Sequence, residues 1–459
     1  MFRKTQTLMN TKKNFPVMLV NIHPRKWIIL TILLLLAVSN GNAQTWTLQQ
    51  CIDSAQTHNK SLMIGSNNIA IGELKQKEAQ ANLIPRVNLA GDYKYFIDLP
   101  YQLMPMSAFG GPEGQFKETQ FGVPHNMSAS IQVALPIYNP QLYGGIKATK
   151  IAAEIAQLQY RKTEEQVFFD ISNLYYNVQI LQHQLAFIDS NLSNTARLLG
   201  NLQLLKEQLM VKGTDVSKVE LQNEQLSTQR ETVSNTIEQV LNALKFSIGV
   251  STDEIIQVES LVQSDQLKEY ASNPTLDIQL TQLQNRFLLS ELSTLRNSRL
   301  PSLSLYGSYG QTGFGYNEKP NDFLKFFPAS FVGVQLSYPI FNGTVTHRKI
   351  NQKKLELRNN ELQINLVTEQ NAMLIENAKR QRNLARKTIS NSLSQINLAN
   401  IIYEQTLLQQ QEGTANLSDV LLADTAVREA QQTHLRSIVD YLKSDLELKK
   451  LTGNIPSQN

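Results

Sequence analysis

The sequence predicts an α+β fold with a two-fold internal repeat, each half holding a β-hairpin and a long antiparallel helical hairpin. Three observations carry this. The stretch SIQVALPIYNPQLYGG from 130 opens a long polar and apolar run, and GVQLSYPIFNGTVTHRK from 333 opens another. Both runs break at a Gly-Thr pair, Gly213-Thr214 and Gly413-Thr414, and then resume as helix. Each is preceded by segments that alternate apolar and polar residues with a period of two, as half-buried strands do. A repeat of about 200 residues is too long for a solenoid and marks a duplicated half-protein.

The single cysteine, Cys51, excludes an internal disulfide framework and any multi-cysteine metal site. The formal charge is +4, but residues 1–43 carry Arg3, Lys4, Lys12, Lys13, Arg25 and Lys26 and no acid. Removing those six from the 43 basic residues leaves 37 against 39 acidic. Nucleic-acid binding needs a clustered basic excess, which the remainder lacks.

Those first 43 residues read as a secretory signal peptide: a basic n-region, an apolar core from Trp27 to Val38, and small residues up to a cleavage point after Ala43. The core is too short for the roughly 20 residues of a membrane-spanning helix. Cys51 lies well beyond it, after Leu48-Gln49-Gln50, and reads as a buried helix residue rather than a lipidation site.

Thr47-Leu48-Gln49-Gln50 is a capping box. The helix it starts runs towards Asn82, weakened near His58-Asn59, and Leu83-Ile84-Pro85 stops it. From Val87 to Leu99 the odd-numbered residues are apolar and the even-numbered ones largely polar, giving a strand. Residues 100–123 show no period and are expected to form a long loop, after which Met127, Ala129, Ile131, Val133, Leu135 and Ile137 share one strand face. Pro136 is expected to end the ladder, and Asn139-Pro140 to start a helix reaching Lys212, on the order of 110 Å long. Gly213 suits a left-handed C-cap, and Thr214 with Asp215 an N-cap for a helix returning to Gly249.

The second half repeats the plan. Asn273-Pro274 opens a helix that Leu300-Pro301 closes, and Leu303, Leu305, Gly307 and Tyr309 alternate with polar neighbours. A loop is expected from Gln311 to Pro328, then a fourth strand through Val332, Val334, Leu336, Tyr338 and Ile340. The halves span 44–250 and 273–453, with β-hairpins at 86–137 and 302–341 and helical hairpins at 139–249 and 343–452. An acidic connector, 251–272, joins them, and 454–459 is a tail.

Strands of about 9 to 11 residues with one apolar face are long enough to cross a bilayer when tilted. A sheet in lipid must close, because an open edge leaves backbone groups unsatisfied, and four strands are too few. The barrel must therefore be shared: two chains give eight strands and a filled interior, three give twelve and room for water. A soluble sheet packed on helices is the competing reading. Tyr93, Tyr95, Tyr101, Tyr138, Tyr309 and Tyr338 near strand ends fit an interfacial aromatic girdle.

The capped first helix, Leu-Ile-Pro before a hairpin, Leu-Pro-Ile-Tyr-Asn into a long helix, the Gly-Thr tip and the repetition of this order resemble the outer membrane efflux protein family, the TolC-like channels. WTLQQCIDSAQTHNKSL is further similar to the N-terminal helix of Bacteroidetes-type members. The resemblance covers nearly the whole mature chain. It implies a homotrimer in the cell outer membrane, in which four strands per chain build a shared twelve-stranded transmembrane β-barrel. The helical hairpins continue it as a periplasmic α-barrel. It also implies two partners, a periplasmic adaptor (membrane fusion) protein and an inner-membrane transporter of RND or ABC type, serving efflux or type I secretion. The alternative is a non-channel periplasmic coiled-coil structural or adaptor protein.

In that family the tips of the helical hairpins close the periplasmic entrance. By resemblance Asp419 matches an aspartate that forms a ring across the pore, where three carboxylates attract cations. Ala415 stands where the best-known member has an arginine and Leu422 where it has a second aspartate, with Asp424 two positions on. Gly213, Thr214, Gly413 and Thr414 are read as structural caps of the tip turns.

No catalytic, cofactor or metal site is expected. His23, His58, His125, His183, His347 and His434 are scattered without ligand spacing. Gly310, Gly313 and Gly315 do not lie between a strand and a helix, so no phosphate cradle follows.

Overall fold

The computed structural model describes residues 45–260, 269–316 and 325–455. The signal peptide expected at 1–43, part of the connector, part of the 311–328 loop and the end of the tail lie outside these residues. In chain order the elements are β1 (Thr45–Trp46), α1 (Leu48–His58), α2 (Lys60–Ala81), β2 (Arg86–Tyr95), β3 (Tyr101–Pro105), β4 (Phe116–Gln120) and β5 (His125–Tyr138). Then come α3 (Pro140–Glu207), α4 (Gly213–Ile248), β6 (Gln257–Val258), α5 (Leu276–Asn297), β7 (Ser302–Gly315), β8 (Lys325–Ser337), α6 (Val345–Gln411) and α7 (Leu417–Leu451).

The capping box forms as written: the Gln50 amide donates to Thr47 Oγ1 at 3.2 Å and the Thr47 amide to Gln50 Oε1 at 2.9 Å. The helix expected to run on to Asn82 is instead two helices, because Asn59 leaves helical geometry and caps α2 through the Ser61 and Leu62 amides. Asn139 caps α3 in the same way, with Pro140 in the first turn. At 68 residues α3 is about 100 Å long. In the second half α5 begins after Thr275 rather than at Asn273-Pro274.

β2, β5, β7 and β8 form one antiparallel sheet in that order. The register sets Val87, Val133, Gly307 and Val332 in one row and Leu89, Ile131 and Tyr309 in the next, so the apolar residues of all four strands share a face. That face is bare: Leu89 is 80% and Val332 79% exposed. The opposite face is polar on β2 and β5 but carries Phe327 and Phe331 on β8, where Phe331 meets Tyr306 edge-on at 5.8 Å.

Three strand expectations are corrected. Pro136 does not end the ladder; β5 continues to Tyr138 through a register shift that absorbs the missing donor. β7 and β8 extend into the expected loop, and β8 stops at Ser337, short of Tyr338 and Ile340, where Pro339 follows. Residues 100–123 are not structureless either, since β3 and β4 pair and a 3-10 turn, Met106–Phe109, lies between them.

The helical core is a chain of small clusters. Cys51 and Ala55 of α1 pack with Ile171, Tyr175 and Val178 of α3 and with Leu241, Leu244 and Ile248 of α4. Cys51 is fully buried, and burial pushes its thiol up to about 12. Further along, Ile180 meets Ala385 of α6 and Leu435, Tyr441 and Leu442 of α7. Among the described residues no helix is long and apolar enough to cross a membrane.

Candidate functional site: the helical tips

The α3–α4 turn and the α6–α7 turn lie at one end of the helical assembly, joined by a shared apolar cluster. Leu202 of α3, Val216 and Val219 of α4 and Leu417 of α7 are buried together, with Leu198, Leu199, Val211 and Leu421 against them. The helices that flank the two turns thus share one core, while the four residues predicted for the tip turns are exposed and differ in role.

Gly413 closes α6 in the left-handed region, at φ 75°, and the Thr414 amide and hydroxyl both donate to the Gln409 carbonyl, at 2.9 and 3.0 Å. Gly213 does not act as the C-cap of the other hairpin. Helix α3 ends at Glu207, and the left-handed position is Leu209, at φ 58°, followed by a Met210 amide bond to the Leu205 carbonyl at 2.9 Å. Gly213 and Thr214 belong to the first turn of α4, which Lys212 precedes without a side-chain cap.

Asp419 sits in the first turn of α7 as the second half of a capping box. Its Oδ2 accepts from the Asn416 amide at 3.0 Å, and its own amide donates to Asn416 Oδ1 at 3.1 Å. The side chain is exposed and near the positive end of the helix dipole. Leu422 is 72% exposed one turn further on.

Asp424 faces the other way, into the seam between the hairpins. It is only 7% exposed, accepts a hydrogen bond from Gln222 Nε2 of α4, and pairs with Arg428 Nη2 at 3.1 Å. Burial holds its carboxyl above the usual carboxylate range, against the pull of Arg428 and Gln222. Burial, then the Asp424 charge, pushes up the Tyr403 phenol of α6, which Arg197 of α3 pulls back. One helical repeat along α7, Gln431 accepts from Asn191 Nδ2 of α3 at 3.1 Å. This polar seam escaped the sequence reading of the tip; the signal available was the spacing of polar residues, seven from Asp424 to Gln431 and fourteen more to Asp445.

Beside the seam, a cleft of ≈ 930 Å³ lies between the ends of α3 and α6, lined in part by Arg197, Met210, Tyr403, Glu404 and Gln410. Among the described residues no three His, Cys, Asp or Glu side chains converge as a metal site.

The four-stranded antiparallel sheet and the paired helices, the longest some 100 Å, form a fold shared with solved outer membrane proteins. The structure superposes on the outer membrane protein VceC from Vibrio cholerae with a TM-score of 0.72, at 14% identity over 88% of this chain and 96% of that one. On the Campylobacter jejuni CmeC outer membrane channel the TM-score is 0.71, at 16% identity over 89% and 85%. In sequence the chain is 20% identical to the outer membrane protein TolC of Salmonella enteritidis over 451 residues, 94% of this chain and 87% of that protein. A profile described as "Outer membrane efflux protein" matches residues 271–454. Over its C-terminal part the chain is similar to the outer membrane efflux protein family, and over nearly its whole length it is similar to TolC.

Proposed function

We propose that the protein is the outer membrane channel of a tripartite efflux or type I secretion system, passing substrates from an inner-membrane pump and a periplasmic adaptor to the outside. The observation that carries this reading is the sheet. Four strands of 10 to 14 residues present one continuous apolar face to the surroundings. Among the described residues β2 and β8 each pair on one side only. A bilayer is the solvent in which such a face is stable, and closure with neighbouring copies is the way its edges are satisfied. A homotrimer supplies twelve strands, enough for a water-filled lumen. A periplasmic coiled-coil protein has no use for this sheet.

On the same reading the two helix, strand-pair and helical-hairpin units are a two-fold repeat, divided as 44–250 and 273–453. Three copies of their helices form the periplasmic α-barrel, and the tips form its entrance, with Asp419 facing the axis and Gly213, Thr214, Gly413 and Thr414 in the turns. The test is single-channel conductance of the detergent-purified mature protein in a planar bilayer, wild type against Asp419→Ala. Small cation-selective currents that rise or lose selectivity in the variant support a trimeric pore gated at the tip. Unchanged currents keep the channel and discard the gate, and a protein that never enters the bilayer overturns the membrane reading.

A further inference from the structure

We propose that the lumen face of β7 and β8 holds a seat for planar aromatic anions, built from Tyr306, Phe314, Phe327 and Phe331. The inference rests on the channel reading above, in which the continuous apolar face of the sheet meets lipid and the opposite face meets water.

On that opposite face the register sets five successive rows. Arg86, Ala134, Tyr306 and Gly333 make one, and Asn88, Gln132, Ser308 and Phe331 the next. Then come Ala90, Ser130, Gly310 and Ala329, followed by Asp92, Ser128, Thr312 and Phe327, and last by Lys94, Asn126, Phe314 and Lys325. The rings therefore fall into two pairs. Tyr306 meets Phe331 edge-on at 5.8 Å, and Phe314 lies 6.1 Å from Phe327 at an interplanar angle of 45°. Gly333 makes the first pair possible, since a Cβ there would stand 2.9 Å from the Tyr306 ring. Along β8 the positions of Phe327 and Phe331 are about 13 Å apart. Between the pairs, the row of Ala90, Ser130, Gly310 and Ala329 carries nothing larger than a hydroxymethyl group, which leaves room for a flat ring system.

Strand pairing does not demand these rings, because β2 and β5 put none on the same face. Nor do they belong to a core: all four are between 41% and 55% exposed. Ring faces and edges left open in a water-filled passage gain by taking a guest whose own rings stack against them. Charge then selects among such guests. The face carries Arg86, Lys94 and Lys325 against Asp92, and Asp92 already pairs with Lys94 at 3.2 Å. Each ring pair shares a row with a basic side chain, Tyr306 with Arg86 and Phe314 with Lys325. An aromatic carboxylate matches both the rings and the charge, and an aromatic cation of the same shape matches only the rings.

The experiment follows block of single-channel current in a planar bilayer by naphthoate, cyclohexanecarboxylate and naphthylmethylammonium. It compares wild type with Phe327→Ala, Phe331→Ala, the double variant and Phe326→Ala, whose ring lies on the apolar face. In wild type, naphthoate should block at a concentration about tenfold below the other two, the upper range for one good ring contact. The double variant should raise the naphthoate concentration needed by about tenfold, and Phe326→Ala should match wild type. A conducting wild type that all three probes block alike, or a double variant blocked like wild type, overturns the seat and leaves the channel standing. Stronger block by naphthylmethylammonium than by naphthoate overturns it too. If a variant fails to insert, the three-probe comparison on wild type decides. A wild type that never conducts overturns the channel reading and the seat with it.

Discussion

Asn59 ties the break between α1 and α2 to the far end of α4: its side-chain oxygen caps α2, while its Nδ2 donates to the Ser247 carbonyl at 2.7 Å. The two residues are 188 positions apart in sequence. Next to them Gly249 takes φ 76°, and a Cβ there would lie 2.5 Å from the His58 backbone. Asn59→Ala removes a cap and strands a partly buried carbonyl, so it should cost about 2 to 3 kcal/mol. Asn59→Ser, which keeps only the cap, should recover roughly 1 kcal/mol of that. Melting followed by circular dichroism checks both values; equal losses would mean that the cap contributes nothing, and an Asn59→Ser variant as stable as wild type would mean that the Ser247 bond contributes nothing.

The two tip glycines should respond oppositely to alanine. Gly413 needs its left-handed backbone, so Gly413→Ala should destabilise the tip by about 1 kcal/mol. Gly213 is helical, with only Lys206 Cε at 3.8 Å from the site of a Cβ, so Gly213→Ala should be neutral or mildly stabilising. Leu209→Gly should stabilise, because it relieves the one left-handed non-glycine residue of the α3–α4 turn. Proteolytic nicking rates at the two turns report each change locally.

Asp424 makes stability depend on pH in a calculable direction. Its carboxyl is held above the usual range chiefly by burial, so the folded chain binds this proton more tightly than the unfolded chain does. The resulting stabilisation is complete below the unfolded carboxylate range and is lost as pH rises through the folded value. At neutral pH Asp424→Asn should therefore melt at or above wild type, and acidification should close the gap or reverse it. A gap that widens on acidification would mean that Arg428 and Gln222, not burial, dominate.

What was legible in the sequence was whatever short-range chemistry decides. Thr47 and Gln50 announce their capping box from three residues apart, and Gly413 declares a left-handed turn because glycine adopts it without strain. The strand faces were legible because period two is a property of the strand itself, and the register then places Val87, Val133 and Val332 in one row. Gly213 misled because Leu209, a residue type that gives no such signal, closes the helix four positions earlier. β3 and β4 were hidden because each has only five residues, and Pro105 interrupts the pattern in the first. Asp424 was visible only as a displaced acid, since its burial depends on Gln222, 202 positions away.

The end of the connector offers the strongest test of a buried charge. Tyr270 Oη donates to both Asp445 oxygens, at 3.0 and 2.8 Å, and Arg382 Nη1 reaches the same carboxylate at 3.1 Å. The guanidinium lies 5.7 Å from the Tyr270 ring centroid and its side chain is only 9% exposed. Asp445 therefore answers a buried cation, whereas Tyr270 contributes a neutral hydrogen bond and a ring face. Tyr270→Phe should cost about 1 kcal/mol, the net worth of one such bond. Asp445→Ala should cost about 3 to 5 kcal/mol, because it leaves Arg382 buried without its carboxylate. Adding Arg382→Met to Asp445→Ala should return much of the loss, since the stranded charge is then gone. The phenol is raised first by burial and then by Asp445, so its contribution is complete below the ordinary tyrosine range and lost only in strong alkali. Melting curves of the three variants at neutral pH decide the ordering, and a Tyr270→Phe loss as large as that of Asp445→Ala would place the anchor in the phenol rather than in the ion pair.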